Sequence, residues 1–214
     1  INNMKQRKLQ NIFLKAGVVL IALVFSISIH AQNNQQARKI LDKTAAIIGN
    51  KAGASANFTY SHPKLGKTNG SIAIKGAKFY ARTPQATVWF DGKTQWSYLK
   101  QTNEVNISSP SHTQQVSMNP YTFIYMYKSG YQLYSKTMGN NYQIRMVAQN
   151  KRSGISEMYI LINKRNYIPA QIKIKQGNQW STIQVRNFRT KNLPDNLFVF
   201  KSRDFPSAEV IDLR

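Results

Sequence analysis

The chain has no cysteine in 214 residues. That absence excludes disulfides, thiolate metal sites, thiol nucleophiles and S-acylation together. It also excludes the leader-end cysteine that bacteria lipidate, so this chain is not itself a lipoprotein. Acid is scarce: 8 Asp and Glu stand against 30 Lys and Arg, giving a formal net charge of +22. The carboxylates are too few and too scattered for an acid/base pair. There are three histidines, His30, His62 and His112. None has the i, i+4 partner of a metal-binding helix, and His62 and His112 read as surface residues. There is no G-x-S-x-G elbow and no P-loop. No residue set argues for an enzyme, a metal or a cofactor.

Long apolar runs are also missing, with one exception. Ala16 to Ile29 reads AGVVLIALVFSISI, behind Lys5, Arg7, Lys8 and Lys15 and ahead of a small residue at Ala31. The run is shorter than the ~20 apolar residues that span a bilayer. Basic n-region, short apolar core and small-residue exit describe a secretory signal peptide over residues 1–31. The alternative is an uncleaved anchor. Cleavage leaves a chain from Gln32, and export takes it away from nucleic acid. The dispersed positive charge then reads either as a solvated face or as an attraction to anionic membrane surfaces or an acidic acceptor.

Gln32 to Asn50 predicts an amphipathic helix, with Ala37, Ile40, Leu41, Thr44, Ala45 and Ile48 at helical spacing. From Ser55 the period changes to two. Phe58 and Tyr60, then Ile72 and Ile74, alternate with polar residues, and Lys67 to Gly70 reads as the turn between them. Trp89 to Tyr98 predicts a hairpin around Asp91-Gly92. Val88 and Phe90 share one face of it, Trp89 takes the other, and Trp96 and Tyr98 lie together. These large rings either fill a core or line a cavity. Residues 109–130 predict two short helices, the second capped by Asn119 with Pro120 at its first position. Phe123, Ile124 and Tyr127 share a face of it. Strand patterns then run to a short closing strand at Phe198 to Phe200. So many short antiparallel strands predict one large sheet that curls or closes, in a single domain over residues 32–214.

Certain runs carry a likeness. They are W-F-D-G-K-T-Q-W-S-Y from Trp89, N-E-V-N-I-S-x-P from Asn103, N-P-Y-T-F-I from Asn119, Y-K-S-G-Y ending at Tyr131, and the closing D-F-P-S-A-E-V-I-D-L-R. In this order, behind a leader and an amphipathic helix, the chain resembles the periplasmic lipoprotein carrier family, LolA. The resemblance implies a mainly β (α+β) fold: a strongly bent antiparallel sheet forming an incomplete β-barrel, a helical lid, and an apolar cavity between them. It implies a monomeric periplasmic chaperone without cofactor, metal or catalytic residue. Acylated lipoproteins would come from an inner-membrane lipoprotein-releasing ABC transporter and pass to an outer-membrane lipoprotein acceptor. Phe58, Tyr60, Ile72, Ile74, Trp89, Trp96 and Tyr98 become candidates for the acyl-chain cavity. Ile40, Leu41, Ile48, Phe123, Ile124 and Tyr127 become candidates for the lid. Many carriers have an Arg-Pro pair after the second strand whose arginine bonds the lid. Here the place is Lys75-Gly76-Ala77, leaving Lys75, Lys78 or Arg82 as substitutes. The other readings are a lipid- or lipoprotein-sensing regulatory domain of the same fold, and an enzyme built on that scaffold, since fold does not fix function.

Overall fold

The computed structural model describes residues 33–110 and 126–214. The leader and most of the stretch predicted to hold two helices, with Phe123, Ile124 and His112, lie outside them. Residues 33–48 form the helix α1. Ala37, Ile40, Leu41, Thr44 and Ile48 are each at most 5% exposed. They form one stripe, as the helical period requires. The larger apolar ones, Ile40, Leu41 and Ile48, each contribute about 1.5–3 kcal/mol, which a short helix needs because it is marginal alone.

Twelve strands follow: β1 (Ala54–His62), β2 (Gly66–Lys75), β3 (Lys78–Arg82), β4 (Ala86–Phe90), β5 (Gln95–Leu99), β6 (Glu104–Ser108), β7 (Tyr131–Met138), β8 (Asn141–Ala148), β9 (Glu157–Asn163), β10 (Pro169–Gln176), β11 (Gln179–Thr190) and β12 (Glu209–Asp212). They form one sheet in the order β12-β6-β5-β4-β3-β2-β1-β11-β10-β9-β8-β7. Two antiparallel meanders, β1 to β6 and β7 to β11, are thus joined where β1 pairs with β11. The protein is mostly β, with one long open sheet.

Two local expectations are corrected. Lys67 to Gly70 is not a turn. It lies inside β2, with Lys67 opposite Ser61 and Gly70 opposite Phe58. The Gly70 backbone lies so close to the Phe58 ring that an added Cβ would come within 2.4 Å of Cζ. Glycine is there for close approach, one of its uses within strands. The true turn is at residues 63–65, where the Lys64 and Leu65 amides donate to His62 Nδ1 at 3.2 Å each. The second correction is at the end of the chain. Asp195–Phe198 is a short 3-10 turn, and the last strand is β12, which runs parallel to β6.

The segment between β11 and β12 lies against the sheet. Phe198 is fully buried with Ala73 and Leu193, and Tyr80 and Leu197 pack around them. Polar contacts hold the same place. Lys75 Nζ donates to the Leu193 carbonyl at 2.8 Å, and Lys75 and Lys78 lie 3.3 and 3.0 Å from Asp195 Oδ1. Hydrogen bonds from Lys78 and then Lys75 hold the Asp195 carboxyl below the usual aspartate range. A depressed carboxyl adds stability that is present above its ordinary value near 4 and is lost as pH falls through the lowered value. Because the carboxylate is exposed the effect is small. In thermal unfolding, Asp195→Asn should sit slightly below the parent at neutral pH, and the difference should close in acid. A gap that widens in acid would contradict the assignment.

Candidate functional site

The two faces of the sheet differ. One face carries α1. On it Leu133 of β7, Ile144 and Met146 of β8, Met158, Ile160 and Ile162 of β9, Ile172 of β10 and Ile183 of β11 form one core with Ile72, Ile74, Phe79 and Phe90. Phe58, Tyr60, Ala81 and Val88 pack at its margin, half-buried. The apolar surface then stops. Phe90 pairs with Gln95 and Val88 with Ser97. Those two pair in turn with Ser108 and Asn106 of β6. Cross-strand partners share a face, so the helix face runs apolar from β7 to β4 and polar over β5 and β6. Gln95 is buried there. Its Nε2 donates to Ser97 Oγ at 3.1 Å, and its Oε1 has no hydrogen-bond partner among the described residues.

α1 is fastened to this face by polar contacts at several points. The Ser135 amide donates to Asn33 Oδ1 at 2.5 Å, and Thr44 Oγ1 donates to the Tyr167 carbonyl at 3.0 Å. Arg38 Nη1 donates to the carbonyls of Tyr127 and Lys128 at 3.2 and 3.3 Å. The buried Tyr127 hydroxyl donates to Asp42 Oδ1 at 2.5 Å. Burial, and next the Asp42 carboxylate, push the Tyr127 phenol well above its ordinary value, so it remains a donor at any physiological pH.

The seven cavity candidates therefore divide. Phe58, Tyr60, Ile72 and Ile74 stand on the helix face, within or against its core. Trp89, Trp96 and Tyr98 stand on the opposite, outer face. Trp89 is cross-strand to Trp96 and to Tyr80. Its ring lies 5.4 Å from Phe200 and 5.6 Å from Phe205, and Tyr98 lies 4.6 Å from Phe205. These rings pack beneath the C-terminal segment, so the seven do not line one space. The hairpin itself is as expected. Asp91 Oδ1 accepts from the Lys93 and Thr94 amides at 2.8 Å each, and Gly92 takes φ +105°.

Of the lid candidates, Ile40, Leu41, Ile48 and Tyr127 are buried together on the helix face, whereas Phe123 and Ile124 lie outside the described residues. The substitutes considered for the missing lid arginine are elsewhere. Lys75 and Lys78 hold Asp195, and Arg82 lines an outer-face groove. Arg38 and Asp42 make the contacts to Tyr127 instead. Sequence reasoning missed them because they sit on the polar side of α1, where charge reads as solvation. Among the described residues, no group of His, Asp and Glu could hold a metal ion, and no helix is long and apolar enough to cross a membrane.

Among the described residues the architecture defines a class: a long open, mainly antiparallel sheet with an amphipathic helix seated on one face. The family model described as outer membrane lipoprotein carrier protein LolA matches residues 27–178. That is more than half of the chain, and the chain belongs to this family. No curated protein matches it. Among solved structures, an uncharacterized conserved protein from Thermus thermophilus is 15% identical, with a TM-score of 0.57 over 83% of this chain and 99% of that one. A putative outer membrane lipoprotein-sorting protein domain from Vibrio parahaemolyticus is 11% identical, with a TM-score of 0.47 over 78% and 97%. The MucA/MucB complex of Pseudomonas aeruginosa is 11% identical, with a TM-score of 0.42 over 77% and 61%. The first of these shows the fold.

Proposed function

We propose that this chain is a periplasmic carrier that takes the acyl chains of lipoproteins onto the helix face of its sheet, beneath α1. In this reading, export uses a leader cleaved before Gln32. An inner-membrane ABC transporter supplies the lipoprotein and an outer-membrane acceptor removes it. The observation that carries the proposal is the change in character of the helix face, apolar from β7 to β4 and polar at Gln95, Ser97, Asn106 and Ser108. An acylated lipoprotein is amphiphilic in the same sense. Its chains suit Phe58, Tyr60, Ile72 and Ile74, and its polar head suits β5 and β6. Each acyl CH₂ removed from water is worth roughly 0.8 kcal/mol, so the chains need such cover. α1 is seated by an apolar stripe, Ala37, Ile40, Leu41 and Ile48, and by polar contacts at its margins. A cover seated on apolar surface can exchange its own burial for that of a ligand.

The test is release. Inner-membrane spheroplasts bearing a labelled lipoprotein are incubated with the chain from Gln32 to Arg214. A soluble one-to-one complex is expected. If no lipoprotein is released while the chain still binds free lipid or a partner protein, the carrier proposal falls and the sensing reading replaces it.

A further inference from the structure

The outer face carries a groove that the acyl-chain reading does not use. It has a volume of about 620 Å³ and is lined by Arg82, Lys100 and Arg186 together with Asn57, Asn69 and Ser71. A second hollow of about 460 Å³ shares Asn57 and Ser71 with it and adds Arg189 and Lys191. No carboxylate lines either hollow. None of these five cations has an ion-pair partner among the described residues. All five are exposed, so packing does not demand them, and their mutual repulsion opposes folding. The origin is visible in the sequence. There is no Asp or Glu between Asp42 and Asp91, nor between Glu157 and Asp195, so β1, β2, β3, β10 and β11 contain none. Further along the same face of β11, Trp180 lies under Lys173 and Lys175, whose Nζ atoms are 5.4 and 5.8 Å from the ring centroid.

We propose that this outer face docks on the anionic surface of a phospholipid bilayer, with Arg82, Lys100 and Arg186 receiving headgroup phosphates. Guanidinium forks match phosphate oxygens in pairs. The groove floor is mid-sheet, where each strand is already paired on both sides. A peptide cannot add there as a strand, so the face recognises its partner through side-chain charge. The charge is spread over the sheet rather than gathered at one point, which fits an array of headgroups. Trp180, with its apolar ring and polar N–H, is the residue type that seats at a membrane interface. The site is independent of the acyl-chain reading, because it lies on the other face.

The test is vesicle flotation with the chain from Gln32 to Arg214, which holds every described element. Vesicles are phosphatidylcholine alone, or with about one-third phosphatidylglycerol. Binding is expected only to the anionic vesicles and should weaken as salt rises. The combined variant Arg82→Gln, Lys100→Gln, Arg186→Gln should bind about a hundredfold more weakly. Its unfolding midpoint should be no lower than the parent's, since all three side chains are exposed and removing their repulsion favours folding. A control with the same charge loss in turns, Lys93→Gln, Lys151→Gln, Arg152→Gln, should keep most of the binding. Equal losses in the two variants, or equal binding to neutral vesicles, would overturn the proposal. So would displacement by soluble glycerol phosphate at matched phosphate concentration. Binding to polyglutamate but not to vesicles, with the same dependence on the three residues, would assign the groove to an acidic peptide instead.

Discussion

Phe198→Ala is expected to lower stability by about 3–5 kcal/mol, read as a lower urea midpoint. Phe198 is 0% exposed, although it sits in a 3-10 turn outside any strand. Its neighbours Ala73, Leu193, Tyr80 and Leu197 come from the outer face and from the C-terminal segment itself. Residues 191–208 contribute no strand to the sheet. Backbone bonds such as Leu193 N–H to the Ala52 carbonyl at 2.8 Å fix the start of the segment, and Asn103 Nδ2, donating to the Ser207 carbonyl at 2.7 Å, fixes its end. Side-chain packing has to hold the rest, and one large ring is the centre of it. Truncation leaves a cavity that the sheet, already paired on both sides, cannot close. An unchanged denaturant slope would mean that the segment and the sheet unfold together. A lower slope would mean that the segment detaches first. A cost below about 1 kcal/mol would show that the segment does not cover this face, since burying such a ring is worth more than that.

This second layer also explains what could be read from the chain and what could not. Alternation placed Val88 and Phe90 on one side of β4 and Trp89 on the other, and the register agrees. It could not say which side α1 would cover. In most half-buried strands the polar residues identify the solvent face. β4 lacks that marker, because Thr87, Trp89 and Phe90 are all buried, from both sides. The C-terminal segment buries one side, and its own pattern, Phe198-Val199-Phe200, resembles a strand. Gly70 misled for a different reason. A glycine after Lys-Thr-Asn has turn chemistry, and only the Phe58 ring on the neighbouring strand reveals the steric need. β12 is four residues long and pairs in parallel with a strand far away in sequence, so no local signal marks it. The stripe of α1 and the strands β7, β8, β10 and β11 were legible because an apolar face alternates with a mainly polar one, and β9 because Met158, Ile160 and Ile162 alternate regularly with the residues between them.

The adjacency of Val88 and Trp89 provides the sharpest test of the proposed function. Val88 is half-buried on the helix face, between Ala81 and Ser97. Val88→Asp places a carboxylate where acyl chains are proposed to lie. Covering that carboxylate with hydrocarbon forces it to protonate, and for a fully buried group this can shift the pKa by about 3–5 units. Lipoprotein release at neutral pH should therefore fall by about a hundredfold or more, with Val88→Ala close to the parent. The defect should shrink as the pH is lowered, because the neutral carboxyl is far cheaper to cover than the ion. Trp89→Ala should behave in the opposite way. Trp89 is 8% exposed in the outer aromatic layer, so its loss should cost about 3–5 kcal/mol of stability. Release by the fraction that remains folded should be unchanged. If Trp89→Ala abolished release from a folded chain and Val88→Asp did not, the acyl chains would belong on the outer face. The C-terminal segment, rather than α1, would then be the cover that has to move.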